Sequence, residues 1–396
     1  MTIAVIGSGV AGLGAVHALS RTHEVELFEA EERPGGHVNT VGAAGLELDT
    51  GFIVHNTANY PQLTRLFREL GVATQESEMS FSVSCACGLE WSSRRPWTCG
   101  PVLLREIVRF LRHATAGDAE GLTLREYLVA RGYSDGFRRH FLVPMTAALW
   151  STAPTLALEF PADALIRFFD NHRMLGLRRN RWLTVRGGSR TYVRALLERS
   201  GARIHLGVPV RSVRRTRDGV ELRAADGAAR RYDGVVVATH APQALALLAD
   251  PSDDERRLLS AFATTANETV LHTDVRVLPR SRGAQASWNV RLQSCGGEQA
   301  TPTMTYLLNR LQRLGGEERY CVTLNETAAV DPARIIRTIH YDHPQMTRAS
   351  VAAQAELHLL NGRRATAFCG AWQGNGFHED GFASGLRAAE AFGASW

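Results

Sequence analysis

The sequence predicts an α/β protein that opens on a Rossmann-like βαβ unit, and three observations within its first 29 residues predict it. Ile3 to Ile6 is a short apolar run of β type, and Gly7-Ser8-Gly9-Val10-Ala11-Gly12 follows at once. Leu13 to Leu19 then reads as a helix rich in Ala, Leu and Gly, and Val25 to Phe28 reads as a second strand ended by Glu29. A GxGxxG match alone is a weak signal. Here it follows a strand, opens a helix and has an acidic residue 17 positions past Gly12, which is the context of a dinucleotide site.

Each residue of the unit has a physical task. Gly7 permits the tight turn, Gly9 lets backbone approach a pyrophosphate, and Gly12 lets the helix pack close to its strand. The helix N-terminus offers free N–H groups and the positive end of its dipole. Glu29 is placed to accept from ribose hydroxyls, and its charge repels the extra phosphate of NADP, which leaves FAD or NAD. Arg33-Pro34-Gly35-Gly36-His37-Val38-Asn39-Thr40 follows, then Leu48-Asp49-Thr50-Gly51-Phe52, and the tandem glycines let the chain pass under an extended cofactor.

Composition excludes several other classes. The chain has 396 residues, 44% hydrophobic and 21% charged, with 36 Gly and 14 Pro, which is ordinary for a globular protein of more than one domain. Its net charge of +5 comes from 45 basic and 40 acidic residues spread along the chain. No basic block is interleaved with stacking aromatics, so nucleic acid is not an expected partner. All 45 basic residues are Arg, so any mechanism that needs a lysine amine is excluded.

The six cysteines (Cys85, Cys87, Cys99, Cys295, Cys321, Cys369) lack the spacing of a disulfide framework, and the chain opens on a strand rather than a basic-then-apolar leader. A cytoplasmic protein is expected. Cys85, Cys87 and Cys99 invite a metal reading, but C-x-C is shorter than the usual zinc knuckle and no fourth ligand follows in register, so structural thiols and no metal are expected. His340-Tyr341-Asp342-His343 likewise has a metal-like look; without a helix or a third ligand it reads as a loop.

Further motifs extend along the chain: Asp49-Thr50-Gly51-Phe52-Ile53-Val54, Leu89-Glu90-Trp91, Pro144 to Ser151, Phe168-Phe169-Asp170-Asn171-His172, and Gly187-Gly188-Ser189-Arg190. Pro209-Val210, Val235 to His240, Phe368-Cys369-Gly370, Gly376 to Gly381 and Ser384-Gly385 complete them. With these motifs the chain resembles, over essentially its whole length, the FAD-dependent amine oxidase, protoporphyrinogen oxidase and carotenoid desaturase superfamily. Within it, the chain is most similar to bacterial NAD/FAD-binding flavoproteins often encoded beside cyclopropane fatty-acid synthases.

The resemblance implies FAD and a Rossmann-like, GR2-type FAD-binding domain with a discontinuous α+β substrate-binding domain. The FAD-binding domain would comprise 1–75, 183–248 and 360–396, and the substrate domain 76–182 and 249–359. Val210 inherits a backbone contact at the adenine end, and Gly370, Asp380 and Gly381 inherit contacts to the ribityl and pyrophosphate. Gly381 to Ala391 reads independently as a glycine-started helix aimed at phosphate. The cofactor-binding candidates are thus Gly7, Gly9, Gly12, Glu29, Arg33, Gly35, Gly36, His37, Gly51, Phe52, Val210, Gly370, Asp380 and Gly381.

No second GxGxxG stands in a βαβ setting, so electrons are expected to pass from substrate to flavin and on to oxygen or another acceptor. Many amine oxidases of the superfamily use a lysine that holds a water at the flavin N5. The absence of lysine shifts weight toward C–C desaturation of a hydrophobic or lipid-like substrate, with amine oxidation in secondary metabolism and redox-neutral double-bond isomerisation as alternatives. Asp49 reads as a base or an anchor, and His55 and His378 as proton shuttles, against plainer readings as a turn cap, a loop residue and a hydrogen bonder in the cofactor loop. Phe52, Trp150 and Trp372 are candidates to line the flavin pocket, with core packing an equal reading. Val102 to Ala114 is an amphipathic basic helix, either a cover for a core or a peripheral membrane contact. No apolar run is long enough to span a membrane.

Overall fold

The computed structural model describes residues 1–175, 180–295 and 303–396. Strand β1 (Thr2–Ile6), helix α1 (Val10–Leu19) and strand β2 (Glu24–Phe28) form the first unit. They belong to a five-stranded parallel sheet in the order Arg203–His205, β2, β1, Gly234–Val237, Thr366–Phe368. β1 is central, with Ile3 opposite both Val25 and Gly234. Successive side chains point to opposite faces. Ile3 and Val5 enter the core shared with α1, the helix Arg190–Ser200 and the C-terminal helix, while Ala4 and Ile6 enter a second core with Val213, Leu222 and Leu258. A strand covered on both faces reads as a continuous apolar run, which is why β1 was legible.

The C-terminal helix spans His378–Glu390 and begins three residues before the glycine at which the sequence suggested it starts. Asp380 explains the earlier start: its carboxylate accepts from the Phe377 N–H at 2.9 Å and closes the first turn. Gly381 therefore lies inside that turn rather than opening it. It serves close packing, since a Cβ there would lie 2.6 Å from Val10 Cγ1. At Gly385 a Cβ would lie 2.0 Å from the Ala11 carbonyl oxygen, so this helix and α1 touch backbone to backbone.

A seven-stranded mixed sheet runs in the order Ile335–Pro344, Thr264–His272, Cys321–Leu324, Thr303–Leu307, Trp288–Leu292, Phe81–Cys85, Glu90–Ser92. One face carries Phe81, Val83, Val290 and Met304 into a core built with helical Phe110, Phe141, Leu165 and Phe169. A small sheet of Val54–Asn56, Trp182–Val185 and Thr74–Glu76 lies between the segments that feed the two large sheets. His340 and His343 stand on the strand Ile335–Pro344, not on a loop as the sequence suggested. They part company there: His340 is exposed beside Glu268, and His343 is half-buried against Asn267 and His37.

The amphipathic segment forms a helix over Pro101–His113 that buries Leu103, Ile107 and Phe110 in the core beneath it. Its arginines face outward, and the Arg109 guanidinium lies 4.0 Å over the Tyr133 ring. No helix among the described residues is long and apolar enough to cross a membrane.

Candidate functional site

At the glycine turn, Gly7 has φ +98° and a Cβ there would lie 2.7 Å from the Ala238 oxygen, so geometry and space both require glycine. A Cβ on Gly12 would come within 1.9 Å of the Gly7 oxygen. Gly9 is different: a Cβ there would meet no protein atom within 4 Å. Gly9 is also the N-cap of α1, which has no side-chain cap and no acid in its first turn. Open space thus stands in front of a bare helix N-terminus, an arrangement suited to an anion.

Glu29 follows β2 and accepts through Oε2 from the Ser8 N–H at 2.8 Å and from the Ser8 hydroxyl, while Oε1 accepts from the Glu31 N–H at 3.0 Å. It ties the second strand to the turn. Arg33 donates to the Gly36 carbonyl at 2.9 Å and pairs with Glu31, so its guanidinium braces the tandem glycines. Gly35 donates to Ser8 Oγ at 3.0 Å, and Gly36 abuts Gly9. His37 follows, its ring stacked 4.8 Å from Tyr341 and near His240 and His343; its Nε2 is buried without a hydrogen-bond partner. Burial and these neighbouring histidines hold its pKa well below the usual imidazole value, so the ring is neutral. Gly51 is fixed by this loop, since a Cβ on it would lie 2.1 Å from the His37 oxygen.

Asp49 is fully buried and surrounded by donors. It accepts from the Thr40 hydroxyl at 2.6 Å, the Ser189 N–H at 2.9 Å, the Ser189 hydroxyl at 3.0 Å and Gln312 Nε2 at 3.2 Å. Burial raises its pKa to about 6, against the pull of Thr40 and Ser189. A carboxylate so enclosed ties together segments 140 and 263 residues apart in sequence. These contacts brace the three segments against one another.

Phe52 and His378 stack, with ring centroids 3.8 Å apart and planes 8° from parallel. Tyr192 OH is hydrogen-bonded to His378 Nε2. Burial first, then His55, lowers the His378 pKa to about 3, and burial raises that of Tyr192 well above its usual value. The phenol is therefore the donor and the imidazole the acceptor. His55 lies on the strand Val54–Asn56, not on a loop, with its Nδ1 buried and unpartnered and its pKa lowered to about 4 by burial. Both histidines are neutral at physiological pH, and the Nε2 of His378 is already engaged.

The C-terminal motif meets this group from the other side. Glu379 accepts from the Gln62 and Leu63 N–H groups at 2.8 and 3.1 Å and so caps the helix Pro61–Glu69; burial raises its pKa to about 6. Asp380 accepts from the loop that leads into its own helix, at Phe377 and Asn375. Gly370 donates its N–H to Ser384 Oγ at 2.9 Å, and Trp372 packs beside it with Nε1–H on the Thr239 carbonyl. Val210 opens the strand Val210–Thr216 and packs in the core with Phe28 and Val237. Trp150 donates Nε1–H to the Asn375 carbonyl at 2.9 Å and joins Phe160, Phe168 and Phe377 in one aromatic group. Phe168 stacks on both Phe377 and His172.

The structure thus gathers the turn glycines, His37, Gly51, Phe52, His378, Gly370 and Gly381 along one path, with Asp49, Arg33 and Asp380 bracing it. Two features suit a bound dinucleotide: the space that no protein atom fills at Gly9, and the unpartnered Nε2 of His37, the residue after the Gly36 that abuts Gly9. Sequence reasoning passed over Tyr192, Ser189 and Tyr341. Tyr341 accepts from Asn39 Nδ2 at 2.9 Å and pairs with Thr50 at 2.8 Å, joining the seven-stranded sheet to the cradle. Ser189 and Tyr341 sat within segments singled out for other reasons; Tyr192 carried no local signal.

Residues 10–392 match a family model described as flavin containing amine oxidoreductase. Among solved structures, a cyclohexylamine oxidase from Brevibacterium oxydans IH-35A is 17% identical with a TM-score of 0.71, over 98% of each chain. A CLA-producing fatty acid isomerase from P. acnes is 15% identical with a TM-score of 0.71, over 98% of this chain and 97% of that one. A putrescine oxidase solved with putrescine is 15% identical with a TM-score of 0.70, over 99% of each. A search of curated protein sequences gave no match.

Proposed function

Because the chain belongs to the flavin-containing amine oxidoreductase family and is an FAD-dependent oxidoreductase, we propose that it takes hydride from a hydrophobic, lipid-like substrate in a C–C desaturation. The observation that carries this reading is the aromatic group of Trp150, Phe160, Phe168 and Phe377, whose last member directly precedes the His378 of the Phe52–His378 stack. The chain's lack of any lysine supports it. So does the fold shared with a fatty acid isomerase, which is compatible with an acyl chain, and the resemblance to flavoproteins encoded beside cyclopropane fatty-acid synthases points to the same substrate class.

In this reading the segments 1–75, 183–248 and 360–396 hold FAD, and 76–182 with 249–359 hold the substrate. Bound FAD supplies the hydride acceptor. Gly7, Gly9, Gly12 and the α1 N-terminus receive the pyrophosphate, with His37 Nε2 as a further partner. Glu29 takes the ribose by sharing its oxygens with Ser8. Asp49 holds the Gly188-Ser189 turn in place. Tyr192 donates to His378 Nε2 and holds that imidazole, which burial keeps neutral, flat against Phe52. Trp150, Phe168 and Phe377 exclude water from that side.

The test is anaerobic addition of acyl lipids and, separately, of amines to the FAD-loaded protein. Bleaching of the flavin absorbance by an acyl lipid supports the proposal, and bleaching only by amines overturns it in favour of amine oxidation. Double-bond migration with neither bleaching nor acceptor consumption overturns it in favour of isomerisation.

A further inference from the structure

Three thiols and one imidazole converge outside the residues of the flavin cradle. Cys85, Cys87, Cys295 and His140 place their ligand atoms within 4.8 Å of one another. Cys85 Sγ lies 3.1 Å from Cys295 Sγ, and Cys87 Sγ lies 4.0 Å from His140 Nε2. Ligand atoms around a tetrahedral zinc, with Zn–S of about 2.3 Å and Zn–N of about 2.0 Å, sit roughly 3.5–4 Å apart. Small shifts of side chains bring the observed set to that spacing.

The sequence supplied only the C-x-C pair, and Cys99, the third thiol considered, is not in the group. The missing ligands come from 53 and 210 residues away and are delivered by the fold. Cys85 ends one strand and Cys87 lies in the turn to Glu90–Ser92, closed by Gly88 at φ +92°. Cys295 follows the strand Trp288–Leu292, whose Leu292 is opposite Cys85. His140 comes from a π-helical turn, Arg138–Leu142, packed on the same hairpin through Trp91 Nε1–H to the His140 carbonyl at 3.1 Å. Such turns are frequent at functional sites.

The surroundings are those of a ligand shell. The Cys87 N–H is directed to Cys85 Sγ and the Leu89 N–H to Cys87 Sγ. Arg139 donates to the Cys295 carbonyl at 2.9 Å, and the His140 ring meets the Gly136 carbonyl, the kind of second contact that orients a metal-binding imidazole. Cys85 is buried, His140 and Cys295 are half-buried, and Cys87 is exposed, which gives an ion a way in from solvent.

We propose that Cys85, Cys87, Cys295 and His140 bind a zinc ion. Three sulfurs and one imidazole nitrogen complete a tetrahedral set with no open position, so the ion is structural. It fastens the hairpin, the end of the neighbouring strand and the π-helical turn into one corner of the seven-stranded sheet. On binding, the thiols release their protons to solvent and no redox step is involved. The site is independent of the flavin reading, since none of its ligands belongs to the cradle.

The experiment is metal analysis of the FAD-loaded protein purified under reducing conditions, followed by chelation and titration with zinc and with cobalt. Zinc equimolar with the chain supports the proposal, as does a cobalt ligand-field band of tetrahedral thiolate type at wavelengths beyond the flavin bands. Loss of that metal in Cys87→Ser and in His140→Gln, with flavin content unchanged and with zinc retained in Cys99→Ser, supports it too. Chelation should lower the Tm of the parent protein and leave that of Cys87→Ser unmoved. Protein that is metal-free and takes up no zinc at micromolar concentration overturns the proposal. So does a Cys85–Cys295 disulfide in the reduced preparation, or a metal content equal in the parent and both ligand variants.

Discussion

The His378 ring lies flat on the Phe52 ring, 3.8 Å between centroids and 8° between planes, and Tyr192 OH holds the His378 Nε2 from the side. Phe52 comes from the N-terminal Asp-Thr-Gly-Phe segment and His378 from the first turn of the last helix, so the stack closes the two ends of the chain on each other. Tyr192→Phe removes the donor to that nitrogen and leaves a buried acceptor unpaired. The expected cost is about 1–3 kcal/mol, read as a lower urea midpoint with unchanged slope. Unchanged stability would show that the hydrogen bond contributes nothing.

Buried neutral histidines make the fold sensitive to acid. Burial holds His17, His55 and His343 at about 4 and His378 at about 3, below the ordinary 6.5. Each is protonated in the unfolded chain before it is in the fold, so its contribution is present above pH 6.5 and is lost as pH falls toward 4. For each such histidine the loss is about 1.4 kcal/mol for every tenfold rise in proton concentration across that interval. Asp49 and Glu379, raised to about 6, act oppositely: their contribution is present at low pH and lost as pH rises through 6. With His272, also at about 4, and His37, held well below 6.5, these histidines outnumber the raised carboxyls of Asp49, Glu379 and Asp380, so Tm should fall steadily from pH 6.5 to pH 4. A Tm that rises over that interval would contradict this balance.

Glu29→Arg removes the acceptor that binds Ser8 N–H and hydroxyl and sets a positive charge against the turn. Flavin content after purification should drop to a small fraction of the parent value. Full occupancy in this variant would sink the assignment of Glu29 to the ribose.

Asp380→Ala frees the N–H groups of Phe377 and Asn375 and loosens the loop that sets Phe377 against Trp150 and Phe168. Reduced flavin retention together with a lower Tm is expected. A variant with the parent's flavin content and spectrum would mean that the loop does not depend on this carboxylate.

What the sequence made legible was local. The Gly7–Gly12 turn, β1, β2 and Glu29 lie within one short stretch, and their spacing follows from helix and strand geometry. The start of the last helix was misplaced because Gly381 was read as its first residue, which hid the capping carboxylate of Asp380. Asp49 was visible as a residue but not as a hub, since Ser189 and Gln312 reach it from 140 and 263 positions away. The convergence of Cys85, Cys87, His140 and Cys295 was not legible for the same reason: strand pairing, not chain spacing, brings Cys295 beside Cys85.

The space in front of Gly9 decides whether this turn holds FAD. A Cβ there meets no protein atom within 4 Å, so Gly9→Ala should leave the Tm of the flavin-free chain nearly unchanged, within the few tenths to about 1 kcal/mol that an N-cap alanine costs. The same methyl stands where the pyrophosphate must approach, and the FAD dissociation constant should rise at least about tenfold, or about 1.4 kcal/mol. An FAD dissociation constant equal to that of the parent would contradict the account.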